Sequence, residues 1–320
     1  MPPNNRGAAL SADSNDIGLD VVSMAGQRGF IVVAVLWILA VLSALMLIYM
    51  VYVTDTAVIV AGSTSRIENE ALMTAAVELT AYDLSNAPET DRPTHGTINT
   101  RLGPGQLSVT YVSEGARVDL NSAPKALLTG LIGGLGARAA DAENYADRII
   151  AWRTPTNSPD QYPENSFYSA AGLAYLPRHA AFPEVEELWL VQGIPPALIE
   201  RMLPFVTVFS NLDSVNIMDA APEVVSALPG MTPEKLQSVL AERELPGVDP
   251  KSLAALAGIG DTALAASKAY RLNINVASGD SRRTRVEVVL LLLADGDEPY
   301  RVLSWRDAAD GRAEPRRASL

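Results

Sequence analysis

Residues 30–54 read FIVVAVLWILAVLSALMLIYMVYVT, an uncharged run bounded by Arg28 and Asp55. About 20 apolar residues are enough to cross a bilayer as a helix. A helix of this length in a globular core would show a polar face, and this one shows almost none. Tyr49 and Tyr52 near its far end suit a headgroup-level aromatic belt. A secretory signal has an apolar core of only about 7–15 residues and a small-residue cleavage site after it. Here the run is longer, no such site follows cleanly, and the sequence turns helical again. Arg28 places the N-terminus on the cytoplasmic side by the positive-inside tendency.

Outward from that segment, the first 23 residues carry Asp13, Asp16 and Asp20, which are unusual at a cytoplasmic membrane face. Met24 opens MAGQRG, a compact basic leader directly before Phe30, and is the expected translation start. The whole chain has 320 residues, a size that suggests roughly two domains. Its net charge of −12 argues against a nucleic-acid binder, which needs clustered Lys and Arg. It has no cysteine, so disulfides, thiol nucleophiles and thiolate metal sites are excluded. The only two histidines, His95 and His179, stand beside loop-forming residues and read as plain surface positions.

Beyond the apolar run, Ile67, Ala71, Ala75, Leu79 and Tyr82 recur at helical spacing, which predicts an amphipathic helix with these residues on its apolar face. It ends near Asn86-Ala87-Pro88, and the polar stretch TDRPTHG (90–96) reads as a loop. Gln106–Ser113 alternates as a strand, with a short partner expected at Arg117–Leu120. Strand signals return at Tyr270–Val276, Arg285–Leu293 and Tyr300–Trp305, the last two joined by the turn Asp295–Pro299. Everything between about 119 and 268 is helical in flavour. The expected fold class is α+β: a long N-terminal helix with a small antiparallel sheet, interrupted by an inserted all-α domain.

That domain contains an internal repeat. Gly193, Gly230 and Gly258 are each preceded five residues back by Leu188, Val225 or Leu253, and followed at once by Ile194, Met231 or Ile259. Two residues before them stand Val191, Leu228 and Leu256; a weaker copy centres on Gly133. Two short helices joined at a glycine in the C-terminal cap conformation would wedge these apolar residues together. VDLNSAP (118–124) and VNIMDAAP (215–222) introduce two copies alike, with N-caps expected at Ser122 and Asp219. Helix–hairpin–helix units often bind DNA, but residues 205–270 hold eight acidic and four basic side chains, so packing is the expected role.

The string QRG followed by FIVVAVLWILAVLSALML resembles a type IV prepilin leader. The resemblance implies that prepilin peptidase, a membrane aspartic protease, cuts between Gly29 and Phe30 and that Phe30 is then N-methylated. Most pilins have a glutamate where this chain has Ala34; among pseudopilins the K type characteristically lacks it, so the chain resembles the K subunit of type II secretion systems. The strings IIAWR (149–153) and FPEVEELWLVQGIPPALIERMLPFVTV (182–208) are similar to that K-type family. Between them the family carries an acidic loop associated with calcium. Here only Asp160 and Glu164 remain there as calcium candidates, whereas calcium takes six to eight oxygens, so no cofactor is expected.

The resemblance implies a non-enzymatic minor pseudopilin that caps and initiates the periplasmic pseudopilus and supports export of folded proteins across the outer membrane. Its partners would be the I and J minor pseudopilins, the H type, prepilin peptidase, the inner-membrane secretion platform and membrane lipid. No nucleic-acid partner is implied. Ala34, Ala40, Ser43 and Ala44 are the small residues expected at helix contacts in the membrane. The chain then divides into a leader (1–29), a span (30–54), a periplasmic helix with first strands (55–118), the helical insertion (119–268), closing strands (269–308) and a tail (309–320). A minor pilin of a type IV pilus or competence system is the alternative. A membrane-anchored enzyme would need a motif such as G-x-S-x-G or H-E-x-x-H, and the sequence contains neither.

Overall fold

In the computed structural model, described residues are 25–89, 91–103, 105–155, 163–260, 267–277, 283–294 and 298–307, with backbone alone for 25–29, 55–66, 163 and 283. Two compact units meet between Arg66 and Ile67. The first is helical: α1 begins at Ala25, holds the uncharged span Phe30–Thr54, and runs on to Asn86 in the second unit.

In the second unit, α1 lies on a five-stranded antiparallel sheet. Its strands are β1 (His95–Leu102), β2 (Gly105–Ser113), β5 (Ala269–Ala277), β6 (Arg283–Leu292) and β7 (Tyr300–Asp307), in the order β1-β2-β5-β6-β7. Alternation sends Leu107, Val109, Tyr111, Leu272, Ile274, Val286 and Val288 to one face. There they bury the α1 residues Leu72, Met73, Ala76, Val77, Ala81 and Leu84. The helix side of this core differs from the sequence expectation. Ile67, Ala71, Leu79 and Tyr82 are exposed and Ala75 is half-buried. The helix carries two apolar stripes, and only the sheet's position decides which is covered. β1 has no counterpart in the sequence expectation, which places no strand before Gln106; its start at His95 falls inside the stretch read as loop, because a polar edge strand has no apolar alternation to announce it.

The chain leaves the sheet after Ser113 and returns at Ala269. The short strand β3 (Val118–Asp119) does not pair with β2 as expected. It runs parallel to β4 (Val206–Thr207) in a separate two-stranded sheet. Among the described residues this region also holds seven α-helices: α2 (Lys125–Gly134), α3 (Ala139–Arg153), α4 (Pro163–Ala170), α5 (Pro196–Met202), α6 (Pro222–Ser226), α7 (Pro233–Arg243) and α8 (Pro250–Ala257). Their core includes Leu128, Leu131, Ile149, Trp152, Tyr168, Leu188, Ile199, Met202 and Val225. Trp152 stacks on Phe182 with ring centroids 6.1 Å apart.

Two of the helical hairpins are built alike down to individual hydrogen bonds. The Asp119 and Asn216 side chains accept from the backbone N–H of Asn121 and Met218, two residues on in each case. This Asx geometry, rather than N-caps at Ser122 and Asp219, starts the two copies; the N-caps of α2 and α6 are Pro124 and Ala221. At the far end of each hairpin an arginine returns to the start. Arg153, closing α3, donates to Leu120 O and Ala123 O at 2.6 and 2.7 Å. Arg243, closing α7, donates to Ile217 O and Ala220 O at 3.2 and 2.7 Å.

Candidate functional site

The segment Phe30–Thr54 is long and apolar enough to cross a membrane. The most apolar stretch within Phe30–Thr54 buries none of its residues, so its large side chains all face outward. Burial of so much apolar surface is the main favourable term available to it, and within a membrane a helix satisfies its own backbone groups. Gly29 and Phe30 both lie inside α1. Ala40, Ser43 and Ala44 fall on one face of the helix, whereas Ala34 is about 120° round from Ala40 at 3.6 residues per turn. The four small residues therefore do not form one contact strip.

The turn glycines occupy three of the four anticipated places. Gly193, Gly230 and Gly258 have φ of 86°, 76° and 74°, which side chains adopt only with strain. Gly133 does not: it sits inside α2, and the left-handed turn to α3 is made by Gly136, φ 98°. The turn glycine shifts by three residues because α2 continues through Gly133 and Gly134. Around Gly258 the pattern is also looser, for Leu256 is exposed while Val191 and Leu228 are buried.

Of the two calcium candidates, Asp160 lies outside the described residues. Glu164 is in the first turn of α4, and its Oε1 is buried without a hydrogen-bond partner. One orphaned oxygen does not make a calcium site, and the described residues bring no three His, Asp or Glu side chains together as a metal cluster.

What sequence reasoning missed is the junction where the chain leaves the sheet. Glu114 is fully buried in the turn after β2. Arg271 on β5 donates from Nε to Glu114 Oε1 at 2.7 Å and from Nη2 to Oε2 at 3.2 Å. Arg117 Nη1 donates to Oε1 at 3.3 Å, and the Thr207 hydroxyl on β4 donates to Oε2. Burial alone would push the Glu114 carboxyl up; the charges of Arg271 and Arg117, with hydrogen bonds from Arg271 and Thr207, outweigh it and hold the group down at about 2. Arg271 also reaches Glu287 on β6 at 2.6 Å. Nearby, Asp119 Oδ2 accepts from Ser210 and from the Asn211 N–H at 3.1 and 2.8 Å, and Asn216 N–H donates to Gly115 O at 2.7 Å. Exit, return and midpoint of the insertion are thus tied at one place. The available signal was Arg271, a charge at an otherwise ordinary polar position of an alternating strand.

Beside this junction a cavity of about 370 Å³ opens between β1, β2 and residues 204–224, lined by Tyr111, Arg117, Phe205 and Val224 among others. His95 is more than a surface residue: its Nδ1 meets Asp219 Oδ1 at 2.6 Å at the cavity wall, joining the edge strand to the helical region. His179 contacts Asn165 through Nε2 at 3.0 Å, with a positive φ of 51°.

A long helix with an uncharged N-terminal span, an antiparallel sheet against its second half, and a helical insertion tied in by buried charge make up the α+β fold of this chain. Residues 106–211 match the family described as Type II secretion system (T2SS), protein K. Over that segment the chain is similar to the type II secretion protein K family, the group its sequence resembles. The fold is shared with a chain of the solved GspK–GspI–GspJ complex from the enterotoxigenic Escherichia coli Type 2 Secretion System. Identity is 18%, the TM-score is 0.54, and the alignment covers 77% of this chain and 95% of that one. No curated protein matches the chain.

Proposed function

We propose that this protein works as a minor pseudopilin: a structural subunit at the tip of the periplasmic pseudopilus, where it initiates assembly and supports export of folded proteins across the outer membrane. The observation that carries the reading is the protein K match over residues 106–211 in a chain that also holds an uncharged helical run of membrane-spanning length at Phe30–Thr54. Residues 30–54 anchor it in the inner membrane, with the N-terminus cytoplasmic and the bulk of the chain periplasmic. Prepilin peptidase removes the leader between Gly29 and Phe30, and Phe30 is methylated. The solved relative is a complex of three proteins, GspK, GspI and GspJ; by analogy I- and J-type pseudopilins are the direct partners here, with the H type and the inner-membrane platform further along. The helical region, large beside its small sheet, suits an end position better than a repeating place within a filament.

Mass measurement of the membrane-extracted protein tests the reading. An N-terminus at Phe30 carrying one added methyl is expected, and Gly29→Ala should block both processing and secretion. A mature form found free of the membrane and trimmed beyond Tyr52 would overturn it.

A further inference from the structure

β1 forms one edge of the five-stranded sheet, and its outer side is open. Ser113 N–H donates to Thr94 O at 2.6 Å, which sets the phase of the ladder. Hydrogen-bonded positions alternate along an antiparallel pair. Gly96, Ile98, Thr100 and Leu102 therefore bond across to β2, and the backbone groups of His95, Thr97, Asn99 and Arg101 point away from the sheet. Those outward groups have no backbone partner among the described residues. Proteins usually guard an open edge with a bulge, a proline or several charges. The far edge, β7, has a register shift opposite Val289 and Leu290 and carries Arg301, Arg306 and Asp307. β1 has no such guard: its register with β2 is unbroken, it holds no proline, and Arg101 is its one full charge.

The side chains of His95, Thr97, Asn99 and Arg101 share one face of the strand. At its His95 end this face borders the cavity of about 370 Å³, whose wall also includes Val112, Phe205, Ala221 and Val224. At the other end Arg101 is exposed and makes no ion pair with other described residues.

We infer that the outer edge of β1 binds an extended segment of another protein as a sixth strand. The chemistry of that segment follows from the face it joins. An apolar side chain beside Thr97 would enter the cavity, and Asp or Glu beside Arg101, four residues along, would meet its charge. Main-chain hydrogen bonds to the four outward residues supply adhesion, and the two side chains supply the choice of partner. A second copy is a poor occupant, because its HGTINTRL (95–102) contains no Asp or Glu and leaves Arg101 without a counter-charge. The inference does not use the pseudopilin reading, and its failure leaves that reading standing.

The test uses the full-length chain in detergent with a fluorescently labelled peptide, Thr-Leu-Thr-Val-Thr-Asp-Thr, which sets leucine and aspartate four residues apart on one face. Fluorescence anisotropy should show saturable binding. The same peptide N-methylated throughout keeps its side chains but has no N–H to donate, and its binding should fall about tenfold or more. Thr97→Pro removes one outward N–H and leaves the β2 ladder intact; it should lower binding while amide protection in β2 stays unchanged. Arg101→Glu should weaken binding about threefold, and a peptide with Lys in place of Asp should recover it. No saturable binding at millimolar peptide, equal binding by the N-methylated peptide, or full binding by Arg101→Glu overturns the inference. Self-association of the chain that Thr97→Pro abolishes would assign the edge to a second copy and overturn it as well.

Discussion

Arg271 and Glu114 are separated by 157 positions in the chain, yet Arg271 Nε lies 2.7 Å from Glu114 Oε1 inside the protein. This pair fastens the strand that ends the insertion to the turn that begins it. The helical region is thereby held at both ends against the same sheet, and the consequences are measurable.

Replacing Glu114 by alanine leaves Arg271 and Arg117 without their shared buried counter-charge. Breaking such a pair from one side typically costs about 3–5 kcal/mol. A large fall in the unfolding midpoint of the detergent-solubilised protein is the expected result, and an unchanged midpoint would show that the pair is dispensable.

The same residue sets an acid dependence. Its carboxyl lies near 4.5 when unperturbed and is held down to about 2 in the fold. A depressed carboxylate stabilises the fold fully above its unfolded value, and that contribution disappears as pH falls towards the folded one. Stability should therefore decline between about pH 4.5 and 2, and Glu114→Gln should flatten that part of a stability–pH curve.

Two glycines of α2 should respond in opposite directions. A Cβ on Gly130 would stand 2.2 Å from the carbonyl oxygen of Ala227, which is backbone and cannot rotate away. Gly130→Ala should destabilise by about 1–3 kcal/mol through overpacking of α2 on α6. A Cβ on Gly133 meets nothing within 4 Å, and helical glycine is intrinsically unfavourable. Gly133→Ala should stabilise by about 0.5–1 kcal/mol. Thermal melts of the two variants distinguish the outcomes directly.

His95→Ala removes the contact to Asp219, whose side chain is almost completely buried. Loss of a hydrogen bond to a charged group costs about 1.5–3 kcal/mol. Local loosening should accompany it: amide exchange along β1 is expected to quicken more than along β5. Equal rates in both strands before and after substitution would contradict a local tether.

The two matching arginines should each act locally, when measured as protection of the hairpin each closes. Arg153→Ala should expose the first hairpin to exchange and spare the second, and Arg243→Ala should do the reverse. Each guanidinium donates to carbonyls at the start of its own copy. Uniform loss of protection would mean that the helical region opens as one unit.

Residues 30–54 needed no tertiary context to be read as an apolar helix of bilayer-spanning length, because length and lack of charge belong to consecutive residues. The alternation of Gln106–Ser113 and Arg285–Leu293, and the left-handed glycines at 193, 230 and 258, were legible for the same reason: period and backbone freedom are properties of a few consecutive residues. Tertiary structure alone decided which stripe of α1 is covered, since both Ile67–Tyr82 and Leu72–Leu84 satisfy a helical period and burial depends on where the sheet lies. It alone moved the first hairpin's turn to Gly136, paired β3 with β4, and brought Glu114 to Arg271. A charge pair has no periodicity; its energy comes from exclusion of water at a place that exists only after distant segments have met.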